Sequence, residues 1–267
     1  MAGRIRAGIG GWTFPPWRGV FYPEGLRQAD ELAYASAHLH AIEINSTYYS
    51  MQRPASFGKW AASTPEGFVF AVKASRFCTN RRVLAEAGES VARFLGQGLA
   101  ELGDRLGPIL WQFMATKAYD PDDFAAFLAL LPTSISGAPL RHCVEVRNAT
   151  FATPDFVSLC RGRGVAICVS ENPDYPLIAD VTADFVYARL MKGSDDLADG
   201  YAAADLDAWA RRFETWSAGG APPDLPTEAS ISAPAPAGRD VFAFFISAGK
   251  VRAPAAAMAL TKRLAAA

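Results

Sequence analysis

Apolar positions recur along most of the 267-residue chain with the periods of strands and helices. Eight segments rich in Val, Ile, Phe and Tyr predict β-strands, because β-branched and aromatic side chains pack well on a pleated sheet. The predicted strands are residues 4–12, 41–49, 68–76, 108–113, 142–148, 164–171, 184–191 and 240–247. Apolar spacings of three and four predict helices at residues 28–39, 90–103, 121–131, 153–164, 205–216 and 254–267.

Eight strands that alternate with helices over about 250 residues are typical of a closed TIM-type (β/α)8 barrel. The pattern predicts one such domain over residues 1–267. Residues 172–181 contain two prolines and leave room for only a short helix. Residues 217–239 are rich in Pro, Ala and Gly, and we expect a mobile, tolerated loop on the side opposite to the catalytic face.

Several predicted strands carry polar side chains at every second position. In the second strand Glu43, Asn45 and Thr47 alternate with Ile42 and Ile44. Because a TIM barrel keeps its functional groups at the C-terminal strand ends, we expect the polar set to face one mouth. The same reasoning adds Trp12, Lys73, Gln112, Glu145, Arg147, Tyr187 and Arg189.

Two explanations fit this polar cluster. In the first, Glu43 and Glu145 only neutralise Lys73, Arg147 and Arg189, because isolated buried charges are costly. In the second, the cluster is held ready for a ligand, since apolar residues are often as stable as a buried ion pair. We favour the ligand site and expect a small anionic or sugar-like molecule in the barrel mouth. The excess of cations favours the anionic ligand, with a carboxylate or a phosphate group.

One hypothesis is that the chain is an enzyme, either a hydrolase or a lyase. It would then use Glu43 and Glu145 as general acid and base, with Lys73 as a catalytic cation. The candidate ligand-binding residues are Trp12, Asn45, Tyr48, Gln112, Arg147, Tyr187 and Arg189. Two other functions stay open: a nucleic-acid end or lesion binding protein, and a non-catalytic metabolite-binding module. Whether the chain is an active or a former enzyme is open as well.

Composition narrows the function classes. A net charge of −1 indicates no overall electrostatic footprint for nucleic acid or membrane, and no apolar run reaches the length of a membrane span. Four cysteines without paired spacing favour reduced thiols in the cytoplasm. The three histidines lack ligand spacing, so no metal or other cofactor is predicted, although magnesium held by Glu43 and Glu145 is left open.

The aromatic run at residues 11–23 follows the first strand. It would serve either as a stacking platform for a base or sugar ring, or as a self-packed plug, and the sequence favours neither. The basic run at residues 76–82 would either line the same rim or form a solvated turn.

Long motifs make the chain resemble the YecE-like family, a domain of unknown function (number 72). The motifs are "GIGGWTFPPWRGVFYPEGL", "AIEINSTYYSMQRPASFGKWAASTPEGFVFAVKASRF", "LGPILWQF", "CVEVRNATF", "TADFVYARL" and "DVFAFF". The resemblance covers almost the whole chain and implies a TIM-type barrel, but no established activity. Motif positions include every candidate site residue named above.

The chain departs from the family pattern in three places. Met191 and Lys192 stand where the family usually has His and Gly, and Ile246 and Ser247 where it usually has two asparagines. Residues 113–115 read "FMA" where the family tends to "LPP". We therefore expect a divergent member in which a histidine-based acid–base mechanism is doubtful.

Overall fold

Eight parallel strands close into a barrel. The structure is a computed structural model, and it describes residues 2–229 and 238–266. The strands, counted here from first to eighth, are Ile5–Gly10, Ala41–Ile44, Val69–Lys73, Leu106–Gln112, His142–Glu145, Ala166–Glu171, Phe185–Lys192 and Asp240–Ala248. The first strand pairs in parallel with both the second and the eighth, which closes the sheet. The predicted TIM-type barrel is confirmed.

Helices occupy most of the connections between the strands. The α-helices of the described residues are α1 (Glu31–His38), α2 (Ser46–Tyr49), α3 (Pro54–Ala62), α4 (Arg76–Thr79), α5 (Gly88–Leu95), α6 (Pro121–Ala129), α7 (Pro154–Gly162), α8 (Ala203–Ser217) and α9 (Ala253–Ala266). Short 3-10 helices lie at Pro15–Trp17, Gln28–Asp30, Leu84–Ala87, Leu99–Arg105 and Ala149–Phe151, and a hairpin pairs Ser134–Ile135 with Ala138–Pro139. None of the described helices combines the length and apolar character that crossing a membrane requires.

The second strand is shorter than its sequence predicts. It ends at Ile44, because the backbone of Asn45 turns to φ −98° and ψ −18° and leads into α2. The hydroxyl of Thr47 then donates to the backbone carbonyls of Ile44 (3.1 Å) and Lys73 (2.7 Å). The prediction that Thr47 continues the inward face of Glu43 is therefore wrong, and Thr47 ties two strand ends together instead.

Three connections also differ from their predictions. Helix α3 was not predicted, although Pro54 at its first position is a typical start. The helix predicted at residues 90–103 breaks after Leu95, because Gly98 adopts φ +113° before a 3-10 segment begins. Residues 172–184 form turns without a helix.

The predicted loop at residues 217–239 is only partly described. Its first residue, Ser217, still belongs to α8. The backbone N–H groups of Glu228 and Ala229 donate to the buried carboxylate of Asp180, at 2.7 and 3.0 Å, which attaches this stretch to the connection after the sixth strand. Residues 230–237, where the mobile insertion was expected, lie outside the described residues.

Strand residues alternate between two apolar layers. Ile42, Ile44 and Val72 face outward and pack in the layer shared with the helices, as predicted. The barrel interior is filled by Ala41, Val69, Ala71, Leu110, Cys143, Ala166, Cys168, Phe185, Tyr187, Met191, Phe242, Phe244 and Ile246. The interior is thus a packed core, and the chemistry is confined to its C-terminal end.

Gly8 allows the first two strands to approach each other. A Cβ atom on Gly8 would lie 2.0 Å from the backbone carbonyl oxygen of Ala41. Backbone atoms cannot yield as the end of a flexible side chain can, so this strand position tolerates no side chain. Gly8 therefore serves the close packing of the barrel wall.

We expect Gly8→Ala to lower the free energy of unfolding by at least ~1–3 kcal/mol, because the added methyl group overpacks the wall. Gly58→Ala in α3 is the matched control: its new Cβ meets no atom within 4 Å, so helix propensity should stabilise the protein by ~0.5–1 kcal/mol. Urea unfolding measures both variants. Equal stability of Gly8→Ala and wild type would contradict the steric argument.

Candidate functional site

The guanidinium of Arg189 lies between two carboxylates just inside the C-terminal end of the barrel. Its Nε and Nη2 atoms donate to the two carboxylate oxygens of Glu43, at 3.1 and 3.0 Å. Its Nη1 atom donates to Oε2 of Glu145. The residues come from the seventh, second and fifth strands, so this contact joins strands on different sides of the barrel.

Three further donors complete the hydrogen bonding of the carboxylates. The hydroxyl of Tyr187 donates to Oε2 of Glu43 at 2.6 Å. Gln112 Nε2 and Arg147 Nε donate to the two oxygens of Glu145, at 2.9 and 2.7 Å. Each of the four carboxylate oxygens therefore accepts at least one hydrogen bond.

This cluster is buried and ionised. Glu43 and Glu145 have no exposed surface, and the Arg189 side chain is 5% exposed. Burial opposes ionisation of Glu145, but the charges of Arg189 and Arg147 outweigh it and lower its pKa to about 2. Burial likewise opposes the charge on Arg189, yet Glu145 and Glu43 raise the pKa of its guanidinium. Glu145 consequently has little affinity for a proton near neutral pH.

Lys73 occupies a different environment at the end of the third strand. It is 8% exposed, and its Nζ atom lies 4.2 Å from the centroid of the Tyr48 ring. Within the described residues no carboxylate comes within ion-pair distance of Nζ. Burial lowers the pKa of Lys73 to about 8, and the positive charge of Arg189 adds to this effect against the opposing carboxylates of Glu43 and Glu145.

Sequence reasoning missed two residues that support the cluster. Asn80 donates from Nδ2 to the hydroxyl of Tyr48 at 3.1 Å. The ring of Tyr175 lies 4.5 Å from the guanidinium of Arg147, whose side chain is 23% exposed. Both residues are in loops beyond strand ends, where alternation along a strand gives no signal.

A cavity of about 270 Å³ opens beside the first two strand ends. It is lined by Gly10, Gly11, Trp12, Thr13, Ile44, Asn45, Ser46 and Lys250. Asn45 connects it to the second strand by donating from Nδ2 to the backbone carbonyl of Glu43 at 3.3 Å. The indole of Trp12 packs edge-on against Trp60, at 5.1 Å between ring centroids. Lys250 was not predicted, because it follows the eighth strand in a turn.

Apolar side chains stand at two of the positions where the chain departs from the family pattern. Met191 and Ile246 are buried and face the barrel interior, where they join its apolar core. The Cγ2 atom of Ile246 would lie 2.9 Å from a Cβ atom placed on Gly10. Ser247 is exposed with φ +69°. At two of the departing positions the chain thus adds apolar side chains to the barrel core.

The aromatic run at residues 11–23 packs mainly on itself. Trp17, Phe21 and Tyr22 are buried. The indole of Trp17 donates to the backbone carbonyl of Lys250 at 2.8 Å, which attaches the run to the turn after the eighth strand. These contacts favour the self-packed plug over the stacking platform.

The arginines of the basic run at residues 76–82 form no ion pair with Glu43 or Glu145 in the part of the chain that the structure describes. Arg76 and Arg82 are exposed. Arg81 and Arg82 line a groove of about 620 Å³ together with Lys117, which donates to Asp123 at 2.8 Å. The segment therefore consists of the short helix α4 followed by a basic, partly solvated bend.

The position of Arg189 also affects whether Glu43 and Glu145 could bind magnesium together. The Arg189 guanidinium fills the space between Glu43 and Glu145. A dication bound by both carboxylates would have to take the place of this cation. The donor set therefore fits a guanidinium better than magnesium.

We expect Glu145→Gln to lower the free energy of unfolding by ~3–5 kcal/mol, because two guanidinium groups lose a buried partner.

Wild-type stability should also fall as the pH drops from about 4.5 towards 2. The pKa of Glu145 is lower in the folded than in the unfolded protein, so this carboxylate stabilises the fold only while it is ionised. The variant should lack this part of the acid transition. Exposed Glu66→Gln is the control, and unchanged stability of Glu145→Gln would contradict the network.

Comparisons with known proteins agree with this architecture. The UPF0759 protein YecE of Escherichia coli K12 is 27% identical over 150 residues, which are 55% of this chain and 50% of YecE, so the match spans about half of that relative. The DUF72 family protein TM1631 of Thermotoga maritima MSB8 superposes with a TM-score of 0.70 at 21% identity, over 99% of this chain and 100% of that one.

EF0366, a DUF72 family protein of Enterococcus faecalis V583, superposes with a TM-score of 0.68 at 17% identity, over 98% of both chains. Likeness at this level of identity shows the shared fold alone. The family model described as "Protein of unknown function DUF72" matches residues 6–267. This match covers nearly the whole sequence, and the chain therefore belongs to the DUF72 family.

Proposed function

We propose that the barrel mouth binds a small anionic molecule and that the chain is an enzyme with Lys73 as its reactive group. The observation that carries this proposal is the Lys73 ammonium, which is nearly buried at the mouth and has no carboxylate partner in the described chain. A buried charge without a partner is costly, so an anionic ligand would complete the site.

The charge distribution supports an anionic ligand. Three cations, Lys73, Arg147 and Arg189, stand against the two carboxylates of Glu43 and Glu145. Arg189 donates from all three of its nitrogens to these carboxylates. The unmatched positive charge is therefore offered by Lys73 and by the outer edge of Arg147, which is partly exposed and binds Glu145 only through Nε.

Within this proposal the carboxylates position rather than transfer protons. The low pKa of Glu145 disfavours the general-base role that its sequence position suggests. Glu43 holds Arg189 and accepts from Tyr187, while Gln112 holds Glu145. These contacts fix the cations in place before the ligand arrives, which is the condition for electrostatic stabilisation.

A non-catalytic binding module would use the same residues and would differ only in the absence of turnover. The nucleic-acid alternative loses part of its support, because Trp17, Phe21 and Tyr22 are buried and only Trp12 and Phe14 of the aromatic run are half-buried. A gel shift with nicked or single-stranded DNA that weakens steeply with salt would revive it.

We expect wild-type protein to bind sulfate by calorimetry. Lys73→Met and Arg147→Met should each weaken binding about tenfold or more, the loss typical of one hydrogen bond to a charged group. Lys262→Met, on the exposed surface of α9, is the matched control and should bind as wild type does. Equal affinity of all four proteins would contradict an anion site at the mouth.

Sulfate binding should weaken as the pH rises through about 8, because the Lys73 amine is positive only below its pKa. Sulfate keeps its charge over this range, so the change reports on the protein. Lys73→Arg should remove this pH dependence, since a guanidinium stays protonated there. A wild-type affinity that is flat from neutral to alkaline pH would exclude Lys73 from the site.

A further inference from the structure

We infer that the Lys73 amine forms an imine with the carbonyl carbon of a small anionic aldehyde or ketone held at the barrel mouth. This inference rests on the proposed function and names its substrate class. It is supported by the placement of Lys73, by its contrast with Arg189 and by the charges around it.

Lys73 is placed on a rigid part of the barrel. It is the last residue of the third strand, and its backbone carbonyl accepts a hydrogen bond from the hydroxyl of Thr47 at 2.7 Å. The next residue, Ala74, donates from its backbone N–H to the carbonyl of Leu110 at 2.8 Å. The lysine stem therefore leaves a fixed backbone, which is what a reactive group in a site requires.

The contrast between Lys73 and Arg189 argues against a purely structural lysine. Arg189 is even more buried than Lys73, and Glu43 and Glu145 match its charge through three hydrogen bonds and two ion pairs. Among the described residues no ion pair or side-chain hydrogen bond of Lys73 Nζ is present, and the ammonium instead lies 4.2 Å from the centroid of the Tyr48 ring, a cation–π contact. A methionine or leucine would fill the position without a desolvated charge.

Burial makes the neutral amine of Lys73 more accessible than that of an exposed lysine. Burial has the largest effect on the Lys73 pKa, Arg189 and Arg147 lower it as well, and Glu43 and Glu145 raise it, with a resulting value of about 8. The neutral amine is therefore the minor form at neutral pH, but a larger fraction than in an exposed lysine, as nucleophilic lysines require. The partly exposed guanidinium of Arg147 would hold the anionic group of the substrate beside the amine.

The reaction is balanced without an oxidant or reductant. The lone pair of the neutral Nζ attacks the carbonyl carbon, and proton transfer from nitrogen to oxygen gives a carbinolamine. The oxygen then leaves as water while the C=N bond forms, so amine and carbonyl yield imine and water. The protonated imine withdraws electrons from the adjacent carbon, which supports loss of a proton or cleavage of a carbon–carbon bond there.

The test is reductive trapping of the full-length protein. Glyoxylate and dihydroxyacetone phosphate are each added with sodium borohydride, which converts an imine to a stable secondary amine, and the lysine peptides are then mapped by mass spectrometry. The exposed residues Lys59 and Lys262 serve as internal controls. We expect at least one probe to label Lys73 about tenfold or more over these controls, because exposed lysines are normally protonated at neutral pH.

Labelling spread evenly over the lysines, or absent from Lys73 with both probes, overturns the inference. Because the adducts are mapped in the wild-type protein, this test does not depend on whether the Lys73→Met variant folds. If the variant folds, it should lose the dominant adduct. Propanal, a neutral aldehyde, should label Lys73 more weakly than glyoxylate, and equal labelling overturns the anionic substrate class.

Competition with sulfate distinguishes a failure of the imine from a failure of the anion site. Wild type that binds sulfate without any Lys73 adduct overturns the imine and leaves the anion site standing. A Lys73 adduct that sulfate does not suppress overturns the anion site of the proposed function. Suppression of the adduct by sulfate supports both.

Discussion

The ion pairs of Arg189 with Glu43 and Glu145 are the contact on which the organisation of the barrel mouth depends. Burying any one of these charges alone would be costly, and it is their mutual hydrogen bonding that allows all three to lie inside the barrel. The contact joins the second, fifth and seventh strands, and Tyr187 and Gln112 complete it. The same contact determines which cation is available to a ligand. All three nitrogens of Arg189 donate to the carboxylates, whereas Lys73 takes no part in these ion pairs.

The residues around this contact set limits on the chemistry. Met191 and Ile246 are buried in the apolar core of the barrel interior. Because residue 191 is a methionine, no imidazole can act as acid or base at this position. A desolvated amine at the end of an apolar barrel core is suited to amine chemistry, because a low-polarity environment favours the neutral nucleophile.

The outer parts of the fold support this arrangement without taking part in it. The aromatic run after the first strand is attached to the turn after the eighth strand through Trp17 and Lys250. Thr47 ties the second strand end to the third, next to Lys73. The strand ends that carry charged residues are thus braced from neighbouring loops, which restricts their motion relative to one another.

The sequence alone determined the barrel, the inward face of most strands and the charged residues that meet at one end, because strand alternation has a fixed period of two and parallel strands end at a common edge. Alternation could not show that the chain turns at Asn45, so Thr47 was misplaced, nor could it find Asn80, Tyr175 or Lys250 in loops. Above all, only the tertiary structure decided which charges pair. The distances across the barrel give both carboxylates to Arg189 and leave the amine of Lys73 without a carboxylate among the described residues, and no linear pattern contains those distances.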